Sequence, residues 1–186
     1  MKLYSLLLFA LLSFGSIAQT MVEGVKIPNT LKAGETIIHL NGAGVREKYF
    51  MDMYVCGLYL KTKNADADKI MKADEAMGLR LHIVSGLISS NKMKTAIDEG
   101  FKNSTAGNTA ALMAKINQFK AVYKEEIKEG DIFDLIYEPG KGVVIYKNGK
   151  VSTTIAGLDF KTALFGIWFC NKPADSDLKT NLLGKS

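Results

Sequence analysis

Residues Asn41-Gly42-Ala43-Gly44 lead into Val45-Arg46-Glu47-Lys48-Tyr49-Phe50-Met51-Asp52-Met53-Tyr54-Val55-Cys56-Gly57-Leu58-Tyr59-Leu60. The run from Val45 to Leu60 is rich in Tyr, Phe, Val and Met, which suit a pleated, half-buried surface. It reads as two strands or one bent strand, because Met51-Asp52 breaks the apolar pattern. Upstream, the β-branched stretch Thr36-Ile37-Ile38-His39-Leu40 predicts a further strand, and Asn41 to Gly44 predicts a turn in which glycine supplies positive φ.

Working outward, Ala67 to Lys72 predicts a short helix. Leu79, Leu81 and Ile83 alternate onto one face of a strand over 79–85. Asn91 to Lys102 predicts a helix with Met93, Ala96, Ile97 and Phe101 on one side and Ser90 as its cap. Thr109 to Ile127 predicts a second helix, through Leu112, Ile116, Phe119 and Tyr123 at spacings of three and four. A meander follows: strands at 132–138, 143–146 and 151–155, the last two joined by Asn148-Gly149, a tight-hairpin pair. Asp159 then caps a helix with Phe160, Ala163, Leu164, Ile167 and Trp168 on one stripe, and 175–183 predicts a short terminal helix. Two groups of strands with helices between and after them make an α+β fold, an antiparallel sheet with helices on one face. Such layers can enclose a pocket.

The chain has 186 residues and a formal charge of +5. Its first eighteen residues carry Lys2, the apolar run Leu6 to Leu12 and the small residues Ser16 and Ala18. That is the pattern of a cleaved secretory signal, predicting export to the periplasm and a domain over 19–186. Loss of the signal leaves 168 residues and +4. This charge is scattered, which argues against nucleic acid as a partner. No second long apolar run exists, so no membrane span is expected in the mature chain. Cys56 and Cys170 lie in apolar segments and read as free thiols, with a bridge as the alternative. No Cys/His cluster has metal-site spacing, and neither a metal nor a cofactor is expected. Gly42-Ala43-Gly44 is not a dinucleotide loop, since the third glycine position is Glu47.

Arg46 stands at the head of an otherwise oily strand. There it can hold a carboxylate bidentately, the rest of the ligand lying in an apolar cavity. Pattern alone favours an exposed strand-end Arg or one paired with Glu47 or Asp52, because charged residues are mostly exposed. His39 and His82 are the two histidines. As a haem ligand, either would make the chain a haem-binding module.

These segments, in order, resemble the chalcone isomerase-like domain. The resemblance rests on Gly42-Ala43-Gly44-Val45-Arg46, Met53 to Leu60, Tyr137-Glu138-Pro139-Gly140-Lys141-Gly142, Asn148-Gly149-Lys150, Phe165-Gly166-Ile167-Trp168-Phe169 and Lys172-Pro173-Ala174-Asp175. It runs from about Val22 to Gly184 and is nearest to the bacterial exported branch. It implies an open-faced β-sandwich with ligands between sheet and helices. The family includes isomerases that close a chalcone into a flavanone and non-catalytic fatty-acid-binding proteins. Its carboxylate-binding Arg corresponds to Arg46. The remaining catalytic pattern does not carry over. Tyr54 stands where the enzymes have Thr, and Met93, Ala96 and Gly100 fall where they have Tyr, Lys and Asn. The expectation is therefore a binding protein with no catalytic residues. Its ligand is a small apolar carboxylate such as a fatty acid, held by Arg46 and Tyr54, with Met93, Ile97 and Phe119 lining the apolar part. An isomerase or lyase of unknown substrate, with Arg46 as electrophile and a Tyr as acid, is the alternative.

Overall fold

The computed structural model describes residues 19–185, so the expected signal peptide at 1–18 lies outside the described residues. The chain runs β1 (Gln19–Val22), β2 (Val25–Pro28), β3 (Thr30–Ala33), β4 (Thr36–Lys48), β5 (Met51–Leu60), α1 (Ala67–Lys72) and β6 (Met77–Ile83). It continues through α2 (Ser90–Ser104), α3 (Met113–Ala121), β7 (Ile132–Glu138), β8 (Gly142–Lys147), β9 (Lys150–Ile155), α4 (Leu158–Phe169) and α5 (Ser176–Leu182). Strands β3 to β9 form one antiparallel sheet in sequence order, and β1 pairs with β2 as a separate hairpin. The expected α+β sheet-and-helix architecture is what forms.

Alternation along the strands decides which face is covered. Tyr54, Cys56, Leu58 and Leu60 of β5 point to the helix side with Leu79, Leu81 and Ile83 of β6 and Phe133, Leu135 and Tyr137 of β7. They pack against Ile97 and Phe101 of α2, Ile116 and Phe119 of α3, and the buried stripe of α4. Burial of each such side chain contributes roughly 1.5–3 kcal/mol. Helices α2 and α4 meet closely because glycines face the contact. A Cβ on Gly100 would come 2.9 Å from Ile167, and one on Gly166 would overlap Ser104 Oγ. The Ser104 hydroxyl donates to the Ala163 carbonyl at 2.6 Å.

The far face has a smaller core of Ile27, Ile38, Val55, Tyr59, Ala76 and Ile136. The β1–β2 hairpin closes part of it, and the Tyr59 hydroxyl donates to the Pro28 carbonyl at 2.8 Å. Arg80 grips Asp134 across β6 and β7 with two hydrogen bonds of 2.7 and 2.8 Å. Strands β1 to β3 were not anticipated from the sequence: each spans four residues, too short for alternation to stand out.

Several local expectations are corrected. Asn41 to Gly44 is not a turn. It lies inside β4, where the register with β5 slips between Leu40 and Gly42. Neither Gly42 nor Gly44 has positive φ. Glycine is needed because α5 lies directly on the strand: a Cβ on Gly42 would overlap the carbonyls of Asn181 and Leu182. Asn41 anchors the contact by donating to the Leu182 carbonyl at 2.8 Å. The run at 45–60 is the end of β4 and all of β5, joined by a two-residue turn at Tyr49-Phe50. Helix α3 is shorter than 109–127, and a 3-10 turn at Ala110–Leu112 precedes it. Ser89, not Ser90, caps α2 by accepting from the Lys92 amide at 3.3 Å. Asp159 does not cap α4. Gly157 occupies that position with φ +106°, and Asp159 binds Lys115 at 2.7 Å. Cys56 and Cys170 are both free, and Cys56 is fully buried.

Candidate binding site between the sheet and helix α2

Arg46 and Tyr54 are register partners across β4 and β5, so both side chains leave the sheet on the helix side. The guanidinium carbon of Arg46 lies 6.0 Å from the centroid of the Tyr54 ring, at the outer limit of a cation–π contact. Among the described residues Arg46 has no ion-pair partner; neither Glu47 nor Asp52 takes that role. Its Nε is buried without a hydrogen-bond partner, the single side-chain atom in that condition among the described residues. A buried donor left unpaired costs about 1–3 kcal/mol, more when it belongs to a charged group. The site therefore carries an unmet demand for an acceptor.

That donor borders a cavity of about 290 Å³. All five expected residues, Arg46, Tyr54, Met93, Ile97 and Phe119, line it. The helical spacing of Met93, Ile97 and Gly100 puts them on the face of α2 turned to the sheet. The volume lies at the lower end of the range of about 300–1,000 Å³ usual for small-molecule sites. A second recess of about 390 Å³ adjoins it and shares Arg46, Lys48, Tyr54, Met93, Ala96 and Glu99. The guanidinium thus stands between two recesses, one lined inward by Leu81, Ile97, Phe119 and Ile167 together with Glu47, Lys48, Glu99 and Asn103, and one toward the β4–β5 turn.

Trp168 was not anticipated as a site residue. Its Nε1–H donates to the Tyr54 hydroxyl at 3.1 Å, a contact between residues 114 positions apart. Periodicity marked Trp168 only as a core position of α4. Tyr123 also lines the cavity. Burial pushes the Tyr54 hydroxyl well above the usual tyrosine range, against the opposing effect of the Arg46 charge. Burial raises Tyr123 likewise. Both remain protonated at neutral pH and can act as hydrogen-bond donors, not as bases. The Tyr54 hydroxyl accepts from Trp168 and keeps its own proton to give. His39 and His82 do not line either space. No group of three or more His, Cys, Asp or Glu that could hold a metal occurs among the described residues.

The architecture is an antiparallel sheet under a helical layer, with Arg46 and Lys48 beside a recess lined by Leu81, Met93, Ile97 and Phe119. The chalcone isomerase-like family matches residues 19–184, and the chain belongs to that family. A solved structure of a fatty-acid binding protein from Arabidopsis thaliana has the same fold, with a TM-score of 0.69 and 20% identity. The match covers 86% of this chain and 92% of that one. No curated protein matches the chain.

Proposed function

We propose that this protein is a non-catalytic binder of an apolar carboxylate such as a fatty acid, exported to the periplasm. The carrying observation is the buried, unpartnered Nε of Arg46 at the wall of a cavity whose inner part is lined by Leu81, Ile97, Phe119, Ile167 and Trp168. A carboxylate accepts from that Nε and from the adjacent guanidinium N–H, which is the geometry Arg offers best. The Tyr54 hydroxyl supplies a further donor, and Met93, Ile97 and Phe119 surround the alkyl part. The fatty-acid binding activity stated for the Arabidopsis structure agrees with this reading. Export rests on the signal-like segment at 1–18.

An isomerase or lyase would need a Tyr hydroxyl poised as acid beside the Arg46 electrophile. Among the described hydrogen bonds none joins Tyr54 to Arg46; the hydroxyl is engaged by Trp168 instead. On α2 the cavity is lined by Met93, Ala96, Ile97, Gly100 and Asn103 and by one titratable group, Glu99, which no described hydrogen bond joins to Tyr54 or Arg46.

Native mass spectrometry of protein purified from its own host tests the reading. Wild type should carry a mass shift that denaturation releases as a fatty acid, and Arg46→Ala should lose it. An empty wild type, or equal occupancy in the variant, refutes it.

A further inference from the structure

Among the described residues, three hairpins turn through two residues that both have positive φ. They are Glu23-Gly24, Tyr49-Phe50 and Asn148-Gly149. This mirror-image turn favours Asn, Asp and Gly, because larger side chains are strained in the left-handed region. Two of the three follow that preference with Gly in second place. The β4–β5 turn does not: Tyr49 has φ +54° and Phe50 φ +60°. Nor do these aromatics serve the core. Tyr49 is 78% exposed and Phe50 is fully exposed. Backbone preference and burial both argue against the two residues found there, so their use lies outside the molecule.

Their surroundings indicate what that use is. Met51, 41% exposed, follows them, and Leu87, 49% exposed, lies across from them in the loop before α2. Tyr49, Met51 and Leu87 line the outer recess that runs inward to Arg46, Tyr54 and Met93. Lys48 and Lys92 line the same recess; with Arg46 they set three cations against one acid, Glu99. Asp52 lines a separate groove with Asp175 and Asp177, and Glu47 lines both that groove and the inner Arg46 cavity, not the outer recess. An apolar, aromatic tip with lysines at its base matches an anionic lipid surface: aromatics settle at the headgroup level and lysines reach phosphates.

We propose that the Tyr49-Phe50 hairpin tip, with Met51 and Leu87, docks the protein on a bilayer of anionic phospholipid. The mouth of the Arg46 cavity then faces the membrane. Docking would let an apolar ligand pass between bilayer and cavity without crossing water; that consequence rests on the binding function proposed above, whereas the docking itself does not.

Co-sedimentation with phosphatidylcholine vesicles, with and without phosphatidylglycerol, tests this. Wild type should pellet with the anionic vesicles and be released by salt. Replacing the turn by the pair its backbone prefers, Tyr49→Asn with Phe50→Gly, should cut vesicle partitioning at least tenfold and raise the melting temperature. A gain in stability with a loss of docking separates the surface role from misfolding. The proposal is overturned if wild type stays in the supernatant with both vesicle types, or if the double variant pellets as well as wild type. It is also overturned if the tip instead forms a concentration-dependent dimer that vesicles do not disrupt. Lipid occupancy, read separately by native mass spectrometry, keeps the two proposals apart: an empty protein that docks refutes only the binding function, and a lipid-loaded protein that ignores vesicles refutes only the docking.

Discussion

Arg46 and Tyr54 face each other across β4 and β5, and only one of them has found a partner within the fold. The Tyr54 hydroxyl is met by Trp168 at 3.1 Å, while Arg46 Nε is buried and unpaired. Strand register sets the two side chains side by side at the cavity wall, immediately before the register slips between Arg46 and Glu47.

Removing the charge should therefore separate stability from binding. Arg46→Met keeps the apolar stem and relieves an unpaired donor. The empty protein is expected to melt no lower than wild type, while affinity for a fluorescent fatty acid falls about 10–100-fold, the value of a charge-assisted hydrogen bond of about 1.5–3 kcal/mol. Thermal melts and displacement titrations check both parts.

Tyr54→Phe acts in the other direction. It leaves the Trp168 Nε1–H without its acceptor in the core, and a stability loss of about 1–3 kcal/mol is expected in urea titrations. Trp168 is the single tryptophan of the chain, so its fluorescence reports the change directly.

Gly42→Ala should loosen α5. The added methyl meets the carbonyls of Asn181 and Leu182, and overpacking of this kind costs about 1–3 kcal/mol. Hydrogen exchange should show faster opening of 176–182 than of β6 and β7.

Lys161 is fully buried, and its Nζ donates to the carbonyls of Ile70, Met71 and Ala73 at 2.7, 3.0 and 2.7 Å. Lys161→Met strands those acceptors at the end of α1 and should cost about 2–3 kcal/mol. Burial lowers the lysine from 10.5 to about 8, against the opposing charges of Asp74 and Glu75. Below pH 8 both folded and unfolded chains hold the proton. Above it the unfolded chain binds more protons, so this group makes stability rise with pH toward 10.5. Denaturation at pH 7.5 and 9.5 should show that rise in wild type and its loss in Lys161→Met.

Much of the sheet, and the inward faces that bring Met93, Ile97 and Phe119 to one cavity, are legible because alternation and helical spacing are local signals. Leu79, Leu81 and Ile83, or Met93 and Ile97, declare a shared face within a few residues of chain. The errors share a cause as well. Gly42 and Gly44 suggest turn glycines because glycine in isolation signals positive φ, yet here glycine answers a helix that arrives about 140 residues later in the chain. Asp159 has the composition of a cap, and Lys115 from another helix claims it.

Local residue pattern sets the α+β class and the inward faces of the strands, and it puts Arg46 at the head of an oily strand. The chain's family likeness marked that arginine as facing a ligand. Packing between distant segments leaves Arg46 without an acid partner among the described residues, brings Trp168 to Tyr54 and opens the outer recess beside an aromatic hairpin tip. The reason is physical. A residue's face is set by backbone periodicity over neighbouring positions. Whether its polar atoms are satisfied depends on side chains brought in from distant segments, and no local pattern records that sum.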